Sequence, residues 1–321
     1  AAFPVSLPRE TCMPPISRVF LFLFPLLCVL LGTVCPAKGA HCSEIAPTLA
    51  DLERRFACDI SLAALDVQGG EKVLYRADNR FAFCSTFKFF LVAEVLRKAD
   101  ADRSLVGKRL FWKENEEQEW SPATRGRGGE GMSVIALCEA AMTLSDNTAA
   151  NLLLRLLGGP FAMTKGMRAL GDRDFLLCDY EPRLNYTGTE LANRGENRLP
   201  QANTATAAGF LQAMRTLLFD RAYPDFSRNL LLQLAGKTRT GTGRIQASLP
   251  KGATLFHKTG TGFGNVHDLA LVRYPNGREC LLVIFTKNTQ NVEKEDQAGR
   301  VARQERAMSE AVRTVLEYLG M

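Results

Sequence analysis

Ser85-Thr86-Phe87-Lys88 places a hydroxyl and an amine three residues apart, which on a helix means one face and one turn. An amine so placed can hydrogen-bond the serine and help take its proton, making Ser85 a candidate nucleophile with Lys88 as its partner. Alone the pattern carries little. Ser248-Leu249-Pro250-Lys251 repeats it in a proline-containing loop, so chance supplies such a match in a chain this long. Three further segments give the first match company. Ser145-Asp146-Asn147 falls at the break between two helical patterns, where turning backbone frees side chains to face a cleft; these residue types also cap helices readily. Lys258-Thr259-Gly260-Thr261-Gly262 follows a strand-like run, and its glycines would either let a ligand approach a strand edge or form a plain glycine-rich turn. Glu181-Pro182-Arg183-Leu184-Asn185 sets a carboxylate beside an amide, a pair able to hold and deprotonate one water, or simply a solvated loop charge.

The elements that must position these groups are readable from periodicity. Cys58 to Asp66 and Lys72 to Ala77 are short β-favouring runs joined by Gln68-Gly69-Gly70-Glu71, a hairpin signature. From Ser85 to about Leu157 the period becomes helical. STFKFFLVAEVLRK and SVIALCEAAMTL read as amphipathic helices, each opened by a serine suited to an N-cap, and a third helix from Thr148 ends at Gly158-Gly159-Pro160. Asp179 to Pro200 is polar with little periodicity, and a connection that long is usually functional or mobile. A helix returns at Ala205 to Phe219. Strand-like runs follow at Ala253 to Lys258, Val266 to Tyr274 and Cys280 to Lys287, and a long amphipathic helix from Gln297 to Leu319 closes the chain. Hairpin connections imply an antiparallel sheet, and the two early strands need the three late ones as partners. The expected fold is α+β in three layers, α/β/α. One five-stranded antiparallel sheet is built from both chain ends and flanked by helices, with an all-helical domain inserted and the active site between them. The expected boundaries are 40–82 and 227–321 for the sheet domain and 83–226 for the insert, which carries the long loop 179–203.

Composition bounds the alternatives. The 321 residues are 46% apolar, 23% charged and 8% aromatic, as in a folded globular protein. Lys plus Arg 40 against Asp plus Glu 34 leaves +6, with no basic block interleaved with aromatics, so nucleic acid is not an expected partner. His41, His257 and His267 include no pair one helical turn apart, which argues against a His-based metal site, and nothing in the motifs calls for a cofactor. Val19 to Val34 is an uncharged apolar run after Arg18 and before the small, breaker-rich stretch to Ala40, the order of a cleaved secretory signal. Pro25 and the shortness of the run speak against a membrane anchor. Residues 1–39 are therefore expected to be removed, with 1–12 upstream of a natural start at Met13, leaving a secreted or periplasmic chain. Cys12, Cys28, Cys35 and Cys42 lie in or beside this leader without a lipid-attachment pattern. The other five cysteines are too irregularly spaced for a disulfide framework and read as small buried hydrophobes.

Taken in order along the chain, the four chemical segments resemble the class A serine β-lactamases, whose S-x-x-K, S-D-N and K-T-G motifs accompany a deacylating glutamate. The resemblance spans roughly Ile45 to Leu319. A P-loop reading at Gly236-Lys237-Thr238 fails because Leu231 stands in place of the first glycine, and no Gly-x-Ser-x-Gly elbow exists. The resemblance implies a bacterial enzyme, working as a monomer, that hydrolyses the lactam amide of penicillins and cephalosporins. Ser85 would form the acyl-enzyme and Lys88 would share in proton transfer. Ser145 would pass a proton to the ring nitrogen, while Asn147 would bind Lys88 and the substrate amide. The backbone N–H groups of Ser85 and Thr261 would form the oxyanion hole. Glu181 with Asn185 would activate the deacylating water. Lys258, Thr259, Gly260 and Thr261 would receive the substrate carboxylate. The resemblance also implies that Trp120 is an aromatic gate over the cleft that stacks on substrate, the alternative being a structural tryptophan, and that Arg244 reaches the carboxylate, the family's other usual donor position being Val266 here. Asp268 matches a structural aspartate.

Departures from the family pattern are specific. Asp179 stands where many members carry an arginine paired to an aspartate across the loop, and the loop to Asn203-Thr204 is longer than usual. Cys84 precedes the nucleophile as in members that bridge it, but Gly262 occupies the partner's place, and Val92 faces Cys138 where another common bridge would form. A penicillin-binding DD-peptidase or a β-lactam sensor domain would share Ser85, Lys88, Ser145 and Lys258. The Glu181 and Asn185 pair speaks against both, because hydrolysis needs a positioned water.

Overall fold

The computed structural model describes residues 43–220, 223–290 and 295–321, so the leader reading at 1–39 lies outside the described residues, as do its cysteines, Cys42 and His41. From the first of these, α1 (Ala46–Arg55) leads into the hairpin β1 (Cys58–Asp66) and β2 (Lys72–Tyr75), then a short β3 (Arg80–Ala82). The helical part holds α2 (Lys88–Ala101), the two-residue strands β4 (Arg109–Leu110) and β5 (Met132–Ser133), α3 (Val134–Thr143), α4 (Asn147–Leu157) and α5 (Pro160–Ala169). It continues through α6 (Gly188–Ala192), β6 (Thr204–Thr206), α7 (Ala207–Leu218) and α8 (Asp225–Ala235). Strands β7 (Thr254–Gly262), β8 (Asn265–Arg273) and β9 (Glu279–Asn288) precede the closing helix α9 (Gln297–Tyr318).

The sheet is the expected one: five strands in the order β2-β1-β9-β8-β7, every pair antiparallel, with β1 and β9 from opposite ends of the chain side by side. Its central strands are buried on both faces, so they read as continuous apolar runs rather than alternating ones. Alternate side chains then supply two cores. Ala63, Leu65, Leu269, Leu271, Val283 and Phe285 face the helical block. Ile60, Leu62, Ala270, Val272, Leu282 and Ile284 face α1 and α9.

Three readings need correction. First, α2 is not amphipathic where it matters: every residue from Lys88 to Leu96 is buried, because this helix runs through the middle of the helical block. Second, Ser85 does not cap it. Residues Cys84–Phe87 form a 3₁₀ turn that runs into the helix, and no side chain caps the start. Ser133 does cap α3, its hydroxyl accepting from Ala136 N–H at 3.3 Å. Third, the Lys258 to Gly262 segment is not a turn after a strand. It is the end of β7, paired residue by residue with β8 as far as Gly262 opposite Asn265. Glycines that look like breakers are there for close approach: a Cβ on Gly260 would stand 3.0 Å from Phe83 O and 3.1 Å from Thr86 N.

The stretch from Asp179 to Pro200 also has more structure than its polarity suggests. It contains a 3₁₀ turn at Arg183–Asn185 and the short α6, opened by a capping box between Thr187 and Glu190. Strands β3 and β6 pair with each other, Phe81 opposite Ala205, so one small ribbon anchors both the entry to Ser85 and the exit of the long loop.

Candidate active site

Four separate segments converge on one cleft. A cavity of about 410 Å³ is lined by Ser85, Ser145, Asn147, Asn185, Thr259 and Thr261, with Trp120, Thr240, Arg244 and Gln297 completing its walls. Lys88, Glu181, Lys258 and Gly260 lie buried just behind that surface. Two non-glycine residues at the site, Cys84 at φ 47° and Ser145 at φ 61°, hold left-handed backbone conformations that cost about 1–3 kcal/mol each. Such strain persists where neighbours over-determine it. The Ser145 carbonyl accepts from Lys88 Nζ at 2.9 Å, and its hydroxyl accepts from Lys258 Nζ at 3.1 Å.

Lys88 opens α2 in full burial, which is tolerable only because its ammonium is surrounded by acceptors. Besides Ser145 O, Nζ donates to Asn147 Oδ1 at 2.5 Å and lies 3.1 Å from Glu181 Oε1. Burial pushes the Lys88 pKa down and the Glu181 carboxylate pulls part of it back. The other Glu181 oxygen accepts from Asn185 Nδ2 at 2.6 Å. Lys258 is held further from its ordinary value: burial lowers its pKa, and the charges of Lys88 and Arg244 push in the same direction. Both amines are thereby biased toward giving up a proton, a condition for taking part in proton transfer near neutral pH.

Asp146, the middle residue of its motif, points away from the cleft and builds the wall. Its buried carboxylate caps α4 through Ala149 N–H at 2.8 Å and accepts from Ala123 N–H, Thr124 N–H and the Thr124 hydroxyl at 2.8 to 3.0 Å. Asn147 N–H donates to Trp120 O at 2.9 Å, and Trp120 Nε1 donates to Leu144 O at 3.1 Å, with the residue 58% exposed at the cleft wall. Arg244 is buried, and four of its N–H groups are engaged. Nε donates to Glu305 at 2.9 Å, Nη1 to Gly260 O at 3.0 Å and His267 O at 2.7 Å, and Nη2 to the Thr261 hydroxyl at 2.7 Å. Asp268 pairs with His257 Nδ1 at 3.1 Å in the sheet interior.

Several positioning residues escape sequence reading. Asn151 receives and returns backbone bonds with Glu181, accepting from its N–H at 2.9 Å and donating to its carbonyl at 3.1 Å. Its only signal is a buried amide one helical turn beyond Asn147 on α4. Glu305 on α9 has no local signal at all. At the loop's base the charge pair is reversed in polarity: Asp179 Oδ1 accepts from Arg198 at 2.9 Å, Oδ2 accepts from Asn203 Nδ2 at 2.9 Å, and Arg183 approaches at 3.5 Å. The five cysteines of the described residues are all free, and four of them are buried.

Comparison with known proteins agrees with this geometry. The family model described as "Beta-lactamase enzyme family" matches residues 44–319. Beta-lactamase CTX-M-8 of Citrobacter amalonaticus is 33% identical over 87% of this chain and 92% of its own. The carbapenem-hydrolyzing beta-lactamase KPC of Klebsiella oxytoca is 33% identical over 86% of this chain and 89% of its own. The solved structure of an ancestral Gram-negative class A beta-lactamase superposes with a TM-score of 0.74 at 36% identity, over 85% of this chain and 99% of that one. A family match that runs the length of the described fold, with relatives and solved structures of that class above 30% identity, assigns the protein to the class A serine β-lactamases.

Proposed function

We propose that this hydrolase opens the amide of penicillins and cephalosporins through an ester on Ser85, which water activated by Glu181 then hydrolyses. The observation that carries the reading is the buried Glu181 carboxylate, held between Lys88 Nζ at 3.1 Å and Asn185 Nδ2 at 2.6 Å, at the back of the cleft that Ser85 lines. Ser85 Oγ attacks the lactam carbonyl, and the C–N bond breaks. The serine proton leaves through the Lys88 and Glu181 cluster, and Ser145, bridged to Lys258, delivers a proton to the departing nitrogen. Donors at the developing oxyanion are the Ser85 N–H and the Thr261 N–H, the latter on the edge strand β7. Each such donor is typically worth about 3 kcal/mol. Asn147 orients the substrate amide, and Lys258, Thr259 and Thr261 meet its carboxylate. In the second half, a water held by Glu181 and the unpartnered Asn185 Oδ1 loses a proton to the carboxylate and attacks the ester, releasing Ser85.

A transpeptidase or sensor reading is disfavoured by that same pair, since either activity depends on an acyl-enzyme that water does not attack. The apolar leader supports export, and among the described residues no helix is long and apolar enough to cross a membrane. The deciding experiment uses Glu181→Gln, which keeps shape and removes the base. General-base assistance typically contributes about a hundredfold to ten-thousandfold, so acylation should outrun deacylation by that margin. Stopped-flow traces should show one product per enzyme and then a nearly flat phase, with an adduct in the intact mass that Ser85→Ala lacks. Turnover at the wild-type steady rate with no trapped adduct would sink the assignment.

A further inference from the structure

We infer that Phe263 is a positioning residue for deacylation, acting through its stack on Tyr186. This rests on the reading of Glu181 and Asn185 as the water-activating pair. Phe263 sits in the two-residue turn between β7 and β8, two positions beyond Thr261, with Gly264 supplying the φ of 81° that the turn requires. The ring lies against Tyr186 with centroids 4.1 Å apart and planes 19° from parallel. The Arg194 guanidinium lies 4.0 Å from the centre of the same tyrosine ring. Phe263 is nonetheless 56% exposed, so the stack is not the by-product of a core.

The tyrosine it holds is the neighbour of Asn185, whose amide donates to Glu181. Other anchors of the long loop include Asn151 on the Glu181 backbone, Arg198 and Asn203 on Asp179, and Lys287 on Glu190 at 3.2 Å. The Tyr186 carbonyl accepts from Asn203 at 3.0 Å, which fixes its backbone from the loop side. The stacked ring ties this point to the hairpin that carries Thr261, beside the close approach of Asn185 to Gly262. The clasp therefore helps set the distance between the pair that activates water and the end of β7 that presents the Thr261 N–H to the ester on Ser85.

On this reading Asn185 acts chiefly by holding the deacylating water, so loosening the clasp should slow that half-reaction selectively. With a slow β-lactam, Phe263→Ala should lower the deacylation rate constant by about threefold to tenfold, the scale of an aromatic pair, and leave the acylation constant within twofold. Phe263→Tyr should restore deacylation, since it keeps the ring. Tyr186→Ala should reproduce the loss, and the double variant should add nothing to it. Unfolding temperature, followed in parallel, identifies any variant that fails to fold, and Phe263→Leu then serves in its place. Equal slowing of both half-reactions, multiplicative losses, or wild-type deacylation in Phe263→Ala would overturn the clasp. If Glu181→Gln traps the acyl-enzyme while Phe263→Ala deacylates normally, the clasp alone fails. If Glu181→Gln does not trap it, the underlying assignment fails and takes the clasp with it.

Discussion

The sulfur of Cys84 lies 3.0 Å from the point where a Cβ on Gly262 would stand. A disulfide places the Cβ of one cysteine about 3 Å from the sulfur of the other, so this spacing already suits a bridge for which the chain lacks the second cysteine.

Gly262→Cys should therefore close a disulfide with Cys84 when the chain folds under oxidising conditions. Burial pushes the Cys84 thiol pKa far up, so the wild-type sulfur is inert in the native state. Thiol titration after denaturation should find one free thiol fewer than in wild type, and an unpaired new cysteine would show one more. Bridges closing long loops typically add about 2–4 kcal/mol, read as a rise in unfolding temperature that reductant removes. The same Cβ would come within 3.4 Å of Asn185 Oδ1, so turnover should be measured on the bridged form separately.

Arg244 makes its contacts through four donor directions, to Glu305, Gly260 O, His267 O and the Thr261 hydroxyl. Because Thr261 Oγ1 accepts from the guanidinium, its own hydrogen is left to donate into the cleft. Arg244→Ala should lower kcat/KM by about tenfold to a hundredfold on a carboxylate-bearing substrate, the value of one charge-assisted hydrogen bond. Arg244→Lys should not rescue it, since a single ammonium cannot reproduce the planar fork. Unchanged steady-state kinetics in the alanine variant would assign carboxylate binding to other cations.

What was legible follows how far apart in the chain each relationship lies. Ser85 with Lys88, Ser145 with Asn147 and Glu181 with Asn185 are each within five residues, so type and spacing suffice, and the strands of the sheet announce themselves as apolar runs. Helices α1 and α5 pass unnoticed because each buries only a narrow face: α1 buries Leu49 and Leu52, and α5 buries Met163, Thr164 and Met167. The reversed Asp179 and Arg198 pair, Asn151 on Glu181, Glu305 on Arg244 and Phe263 on Tyr186 join segments that only the fold brings together. Periodicity misjudged α2 for a related reason: a helix surrounded by protein has no polar face, and its one charged residue there in the first turn is a catalytic candidate.

His267 provides a test of the site's support at acid pH. Its Nε2–H donates to Ala82 O at 2.7 Å, in the strand just before Ser85, and its Nδ1 accepts from Thr286 N–H at 3.2 Å. Those two bonds fix the neutral tautomer, because a proton on Nδ1 would face the Thr286 N–H directly. Burial is the main cause that lowers its pKa from 6.5 to about 3; the bond to Ala82 O opposes the shift and the Arg244 charge adds to it. The sign follows from linkage. Above 6.5 both folded and unfolded imidazoles are neutral and the contribution is constant. Between 6.5 and about 3 only the unfolded chain takes the proton, so stability is lost as pH falls through that window, by up to about 1.4 kcal/mol per pH unit. Carboxylates titrate in the lower half of the same range, so the readout is a difference. Urea unfolding of wild type should lose free energy more steeply from pH 6.5 to 4 than that of His267→Gln, by up to one proton's worth of slope. Parallel pH profiles for the two proteins would show that His267 charges in the folded state, and that the hydrogen bond to the strand before Ser85 tolerates a cationic ring.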